Sequence, residues 1–127
     1  MEEGTPGPPS AELDLERLSE ISGGEAEFER EIVAEYLEQA WALLESAARA
    51  LEAKDVAELR RVAHTLKGSS KTVGAEGVAR VAASLETLTA ESTQGVAPLL
   101  GRVLACLTVT EREFERYFRE ARGRDAA

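Results

Sequence analysis

The sequence predicts an all-α protein: an antiparallel up-down four-helix bundle with a short N-terminal capping helix. Apolar residues recur at three- and four-residue spacing through four long segments. Glycines and N-capping residues mark the boundaries between those segments. No segment has strand character with turn signals at strand spacing.

Residues 1–10 hold three of the four prolines, Pro6, Pro8 and Pro9, together with two glycines, and are expected to form a disordered lead-in. The bundle is expected over 11–123, with a short tail at 124–127. The first helix, about 12–21, offers Leu13, Leu15, Leu18 and Ile21; it is too short for a full stave and is expected to cap one end. Gly23-Gly24 separate it from a long second helix, about 25–53, whose stripe is Val33, Leu37, Ala40, Leu44, Ala47 and Leu51. Lys54-Asp55 supplies a turn and an N-cap for the third, about 56–72, with Leu59, Ala63, Leu66, Ser70 and Val73 inward. Gly74 ends it. The fourth helix, about 76–91, buries Val78, Val81, Ala82, Leu85 and Leu88. Ser92-Thr93-Gln94-Gly95 breaks the pattern, and the last helix, about 96–122, presents Leu99, Leu100, Val103, Leu107, Phe114 and Tyr117.

The 127 residues suffice for one domain with a real core. A net charge of −9 argues against nucleic acid or an anionic membrane as partner. There is no apolar run near 18 residues, and the acidic start Met1-Glu2-Glu3 is unlike a secretory signal. The single cysteine, Cys106, cannot make an internal disulfide, which fits a reducing cytoplasm. It is expected to pack as a small hydrophobe, as Tyr36 and Trp41 are expected to pack on the long helix.

The only histidine, His64, sits in Ala63-His64-Thr65-Leu66-Lys67-Gly68-Ser69-Ser70. On a helical wheel it lies about 130° from the core stripe, on the wet side. Arg60, Lys67 and Lys71 fall within about 60° of it, with Gly68 adjacent and Arg61 beyond. Leu59–Ala75 carries four basic residues and no acidic one; the rest of the chain has 11 basic against 24 acidic, a net −13. Such a local positive patch attracts an anion or an anionic surface. A mid-helix glycine costs about 1 kcal/mol relative to alanine, and here it leaves bare backbone where another protein can approach. An exposed histidine is most often just solvated, and a charge run is usually a solvated face. It is the coincidence on one face that points to function.

One histidine and one cysteine do not make a zinc site. HExxH, CxxC and the phosphate loop GxxxxGK[ST] are all absent. A hydrolase is not excluded by residue count, but there is no nucleophile elbow and a bundle offers no evident oxyanion hole. An exposed imidazole can still take up a phosphoryl group on its neutral nitrogen and pass it on. No metal or cofactor is expected in this chain.

The run from Ala63 to Ser70 closely resembles the signature of histidine phosphotransfer (HPt) domains of two-component phosphorelays. Leu13-Asp14-Leu15 to Leu18, Gly23-Gly24-Glu25 and Phe28 are similar to the family's first helix and its Gly-Gly-acidic turn. Tyr36-Leu37, Asp55, Gly74-Ala75 and Leu85-Glu86 resemble further family positions, so the likeness spans about 13–120. Val78, Val81 and Glu25 depart from the commoner leucines and aspartate. The resemblance implies a phosphoaccepting His64, a Lys67 that stabilises the phosphoryl charge and a Gly68 that clears room for the partner's aspartate. It also implies that Glu86, 22 residues on, accepts a hydrogen bond from the ring. Helix geometry independently makes Glu86 plausible, since His64 lies about ten residues before the Gly74-Ala75 turn and Glu86 about twelve after. A hydrogen bond from Nδ1–H to Glu86 would leave Nε2 as the nucleophile.

The implied partners are a response-regulator receiver domain and a sensor or hybrid histidine kinase, which would supply any Mg2+. Arg60, Arg61, Lys67 and Lys71 would help to dock them on a monomeric carrier without kinase activity of its own. Two alternatives stand beside this one. A glutamate in place of glutamine is also found in the phosphoacceptor substrate domains of chemotaxis-type kinases. A non-phosphorylated adaptor bundle would make His64 incidental.

Overall fold

The computed structural model describes residues 8–89 and 93–126, with no side-chain account of 124–126. Five helices follow in order: α1 Leu15–Ser22, α2 Ala26–Glu52, α3 Val56–Val73, α4 Glu76–Leu88 and α5 Val96–Ala126. Among the described residues there is no strand, only an isolated antiparallel bridge between Leu13 and Ala75.

The helices form where apolar spacing and caps agree. The Asp55 carboxylate accepts from the Glu58 amide at 3.1 Å and so starts α3. Gly74 ends α3 at φ 81, a left-handed turn that favours glycine. Between α2 and α3 the tight turn forces Lys54 to φ 55.

α2 packs on α3, α3 on α4, α4 on α5, and α5 returns to α2; α3 with α4 is the most extensive pair. Among the described residues the backbones of α2 and α4, and of α3 and α5, do not approach closely, so the four helices form a ring. α1 packs on α2 and α3. The fully buried centre includes Leu18, Leu59, Leu66, Leu85, Leu107 and Phe114, one or more from each helix except α2, which adds Val33, Ala40, Leu44 and Ala47. Cys106 is buried in it.

Some boundaries differ from the sequence reading. α1 starts at Leu15 rather than near 12, because Glu12 adopts φ 44 and Asp14 is the N-cap. α4 stops at Leu88; the last residues assigned to it, 90–91, and Ser92 of the break lie outside the described residues. Leu88 is 38% exposed rather than core, because it falls in the final turn. α5 runs on to Ala126. Residues 1–7 of the expected lead-in also lie outside the described residues, whereas Ser10, expected to be disordered, is held against Gly77 of α4 because that residue has no Cβ.

Residues 10–14 lie across the α3–α4 turn. The Gly77 amide donates to the Ala11 carbonyl at 3.0 Å and the Asp14 amide to the Gly74 carbonyl at 2.7 Å. A Cβ on Gly77 would stand 2.0 Å from the Ser10 carbonyl oxygen, so this approach requires glycine. Glu12 forms an ion pair with Arg80 of α4.

Candidate functional site

The α3–α4 pair carries the site. Ala63, Leu66 and Ser70 turn one face of α3 into the core, while small buried residues on α4, Ala79 and Ala82, suit close packing. His64, next to Ala63, is thereby turned outward and its side chain is 71% exposed. Glu86 extends from α4, and its Oε2 lies 2.8 Å from His64 Nδ1. With the proton on Nδ1 the ring donates to the carboxylate. Nε2 then faces solvent, with no hydrogen-bond partner among the described residues.

The second oxygen of Glu86 accepts from Lys67 Nζ at 2.7 Å. Lys67 and His64 bring the Glu86 carboxyl below its ordinary value of 4.5; the lysine hydrogen bond contributes most, the imidazole next, and together they outweigh desolvation. Glu86 is therefore a carboxylate at neutral pH, shared between a cation and the ring. The sequence placed Lys67 beside His64 but missed its bond to Glu86. Counting across the turn gives no signal for it, since Lys67 lies seven residues before Gly74 and Glu86 twelve after, an offset that the long lysine side chain spans.

Behind the site, the Tyr36 hydroxyl of α2 meets Ser70 Oγ of α3 at 2.6 Å in the core. Burial pushes the Tyr36 phenol up to about 12. This bond fixes the face that α3 turns inward, and so the face on which His64 stands. Trp41, by contrast, lies half-buried and donates from Nε1 to Glu111 at 3.2 Å.

The positive patch is smaller than the sequence implied. Arg61 is bound by Glu58 through two hydrogen bonds of 2.8 Å, and Lys67 by Glu86. Glu58 lies one residue outside the stretch that reads as purely basic, although its i,i+3 spacing to Arg61 is visible in the sequence. Arg60 and Lys71 are exposed and make no ion pair among the described residues. Gly68 is exposed as well, and a Cβ there would meet nothing within 4 Å. Packing within the chain does not require this glycine. Among the described residues no three His, Cys, Asp or Glu side chains gather as a metal site. No described helix is long and apolar enough to cross a membrane.

This geometry lies within residues 31–121, the stretch matched by the model of the Hpt domain family. The chain belongs to the Hpt domain family. It is a histidine phosphotransfer protein of two-component phosphorelays. Hpt domains are phosphocarriers that pass phosphoryl groups between kinases and response regulators. The fold is similar to that of histidine-containing phosphotransfer protein B (HptB) from Pseudomonas aeruginosa PAO1. That comparison has a TM-score of 0.79 and 22% identity, over 86% of this chain and 96% of that one. No curated protein sequence matches the chain. The Hpt match begins at residue 31, so α1 and the segment across the α3–α4 turn lie ahead of it.

Proposed function

We propose that His64 is the phosphoaccepting residue and that it exchanges the group with the aspartate of a response-regulator receiver domain. The observation that carries this reading is the exposed His64 ring, with Nδ1 engaged by Glu86 and Nε2 open to solvent, in a histidine phosphotransfer chain with a single histidine.

The Nε2 lone pair attacks phosphorus, the P–O bond of the aspartyl phosphate breaks, and the aspartate leaves as a carboxylate. The ring becomes an N-phosphoimidazolium that keeps its Nδ1 proton, and Glu86 compensates the new positive charge. Lys67, close to both, stabilises the phosphoryl oxygens. Gly68 leaves room for the receiver, and Arg60 and Lys71, with Arg61 at the edge, attract its acidic site. The carrier needs no cofactor; Mg2+ belongs to the receiver or kinase. It works as a cytoplasmic monomer without kinase activity. Its scaffold is an up-down antiparallel four-helix bundle of α2 to α5, capped by α1.

The shared Glu86 carboxylate also favours a second reading, a phosphoacceptor substrate domain of a chemotaxis-type kinase. One experiment tests both. Labelled phospho-receivers, and separately candidate kinases with ATP, are incubated with the wild type and with His64→Gln. Acid-labile label is expected on the wild type and none on the variant. Rapid exchange with receivers supports the relay carrier, and labelling by kinase alone supports the substrate domain. Label retained by His64→Gln overturns the assignment.

A further inference from the structure

On the far side of the ring from α3 and α4, the helices α2 and α5 lie side by side. Between Arg30–Leu37 and Phe114–Arg122 runs an open groove that phosphotransfer does not use. Its floor is apolar, built from Val33, Ala34, Leu37, Phe114 and Phe118. Its rim holds three cations, Arg30, Arg119 and Arg122, against one anion, Glu115. On a chain of net charge −9 this is a local reversal of sign.

Two of these three arginines are free of internal ion pairs among the described residues. Arg119 and Arg122 are exposed and make no ion pair among the described residues, whereas Arg116 lies between Glu113 at 3.7 Å and Glu120 at 3.8 Å. The Arg30 guanidinium lies 5.6 Å from the centroid of the Phe118 ring, within cation–π range. Its Nη1 meets Glu27 at 3.2 Å, while its buried Nε has no acceptor among the described residues.

We infer that this groove docks an acidic amphipathic helix of a partner protein. The groove spans about two turns of each helix, roughly 12 Å, which matches a short amphipathic helix laid into a hydrophobic channel. Arginine forks pair with carboxylates, so the fitting ligand sets apolar side chains on the floor and Asp or Glu along the edges. The guanidiniums of Arg119 and Arg122, unpaired among the described residues, suit carboxylate flanks, and the narrow apolar floor suits the leucine face of a single protein helix. Because α2–α5 is opposite α3–α4, this partner and a partner at His64 can be bound together. The inference rests on the groove alone and not on the phosphotransfer reading.

The test uses the full chain and two synthetic amphipathic helical peptides of about 14 residues, with identical leucine faces and either glutamate or lysine flanks. Fluorescence anisotropy and amide chemical shifts are followed. The glutamate peptide is expected to bind at least about tenfold more tightly than the lysine peptide, and more weakly at high salt. Its shifts should map to residues 30–37 and 114–122. The double variant Arg119→Glu/Arg122→Glu should reverse the preference while keeping the wild-type melting temperature. His64→Gln should bind like wild type, which separates failure here from failure of the phosphoacceptor assignment. Equal binding of both peptides, shifts confined to the His64 face, saturable binding of oleate in place of peptide, or no binding of the glutamate peptide would each overturn the proposal.

Discussion

Lys67 Nζ lies 2.7 Å from Oε1 of Glu86, the residue whose other oxygen lies 2.8 Å from Nδ1 of His64. A single carboxylate thus ties the lysine and the imidazole to one point on α4. The amide oxygen of Glu86→Gln can still accept from Nδ1, but its NH2 cannot accept from Lys67, whereas Glu86→Ala removes both bonds. Losing one charge-assisted hydrogen bond costs about 1.5–3 kcal/mol, and exposure puts this site at the low end. Glu86→Ala is therefore expected to slow phosphotransfer by about tenfold, and Glu86→Gln by much less. Rapid-quench transfer kinetics, with 15N shifts of the imidazole to report the tautomer, check this. Equal rates in the wild type and Glu86→Ala would remove the positioning role.

The same carboxylate should show itself in titration. Its folded-state value is lowered from 4.5, first by Lys67 and then by His64. A lowered carboxyl value means that the network's stabilisation is present above the unfolded value and lost as pH falls through the folded one. The Glu86 carboxyl carbon is thus expected to titrate below 4.5. In Lys67→Met the midpoint should move upward, because the larger of the two causes is gone. NMR titration of both proteins measures this, and an unmoved midpoint counts against the Lys67 bond.

Gly68 separates folding from function. A side chain at this position meets nothing within 4 Å. Gly68→Gln should therefore stabilise the fold by up to about 1 kcal/mol through helix propensity. It should also slow transfer from a receiver by at least about tenfold, the equivalent of roughly 1.4 kcal/mol of blocked approach. Thermal melting and transfer rates on one preparation decide. A stabilised variant with unchanged transfer would leave the glycine without a role in clearance.

Tyr36 predicts alkaline behaviour. Its phenol is raised from 10.0 to about 12, chiefly by burial. A raised value means that stability is complete below the unfolded value and lost as pH rises toward the folded one. Unfolding free energy should fall by about 1.4 kcal/mol per pH unit from this group between pH 10 and 12. Tyr36→Phe should flatten that slope and cost about 1–3 kcal/mol at neutral pH, because Ser70 loses its buried partner. Urea titrations at stepped pH test both points.

Much of this was legible in the residues. The helices announce themselves because apolar spacing, Asp55 and Gly74 all agree. The His64–Glu86 pairing could be reached by counting residues on either side of a turn. The capture of Lys67 could not, because it depends on which oxygen of Glu86 is left over once the ring is bound. Leu88 was misplaced because a periodic stripe does not say where the last turn leaves the core. The Pro8–Asp14 segment was divided between a disordered lead-in and a helix start, because side chains do not reveal a docking that carbonyls and amides of the main chain largely make.

Those contacts have a bearing on mutational tolerance. Where Ser10 and Ala11 approach Gly77, the segment offers carbonyl oxygens and α4 offers the absence of a Cβ. Position 10 can change identity without altering that contact, whereas position 77 cannot gain even a methyl group. A saturation scan should therefore find a lopsided pair of neighbours in space, one permissive and one almost invariant. Variation would then accumulate on the segment while the helix beneath it stays locked.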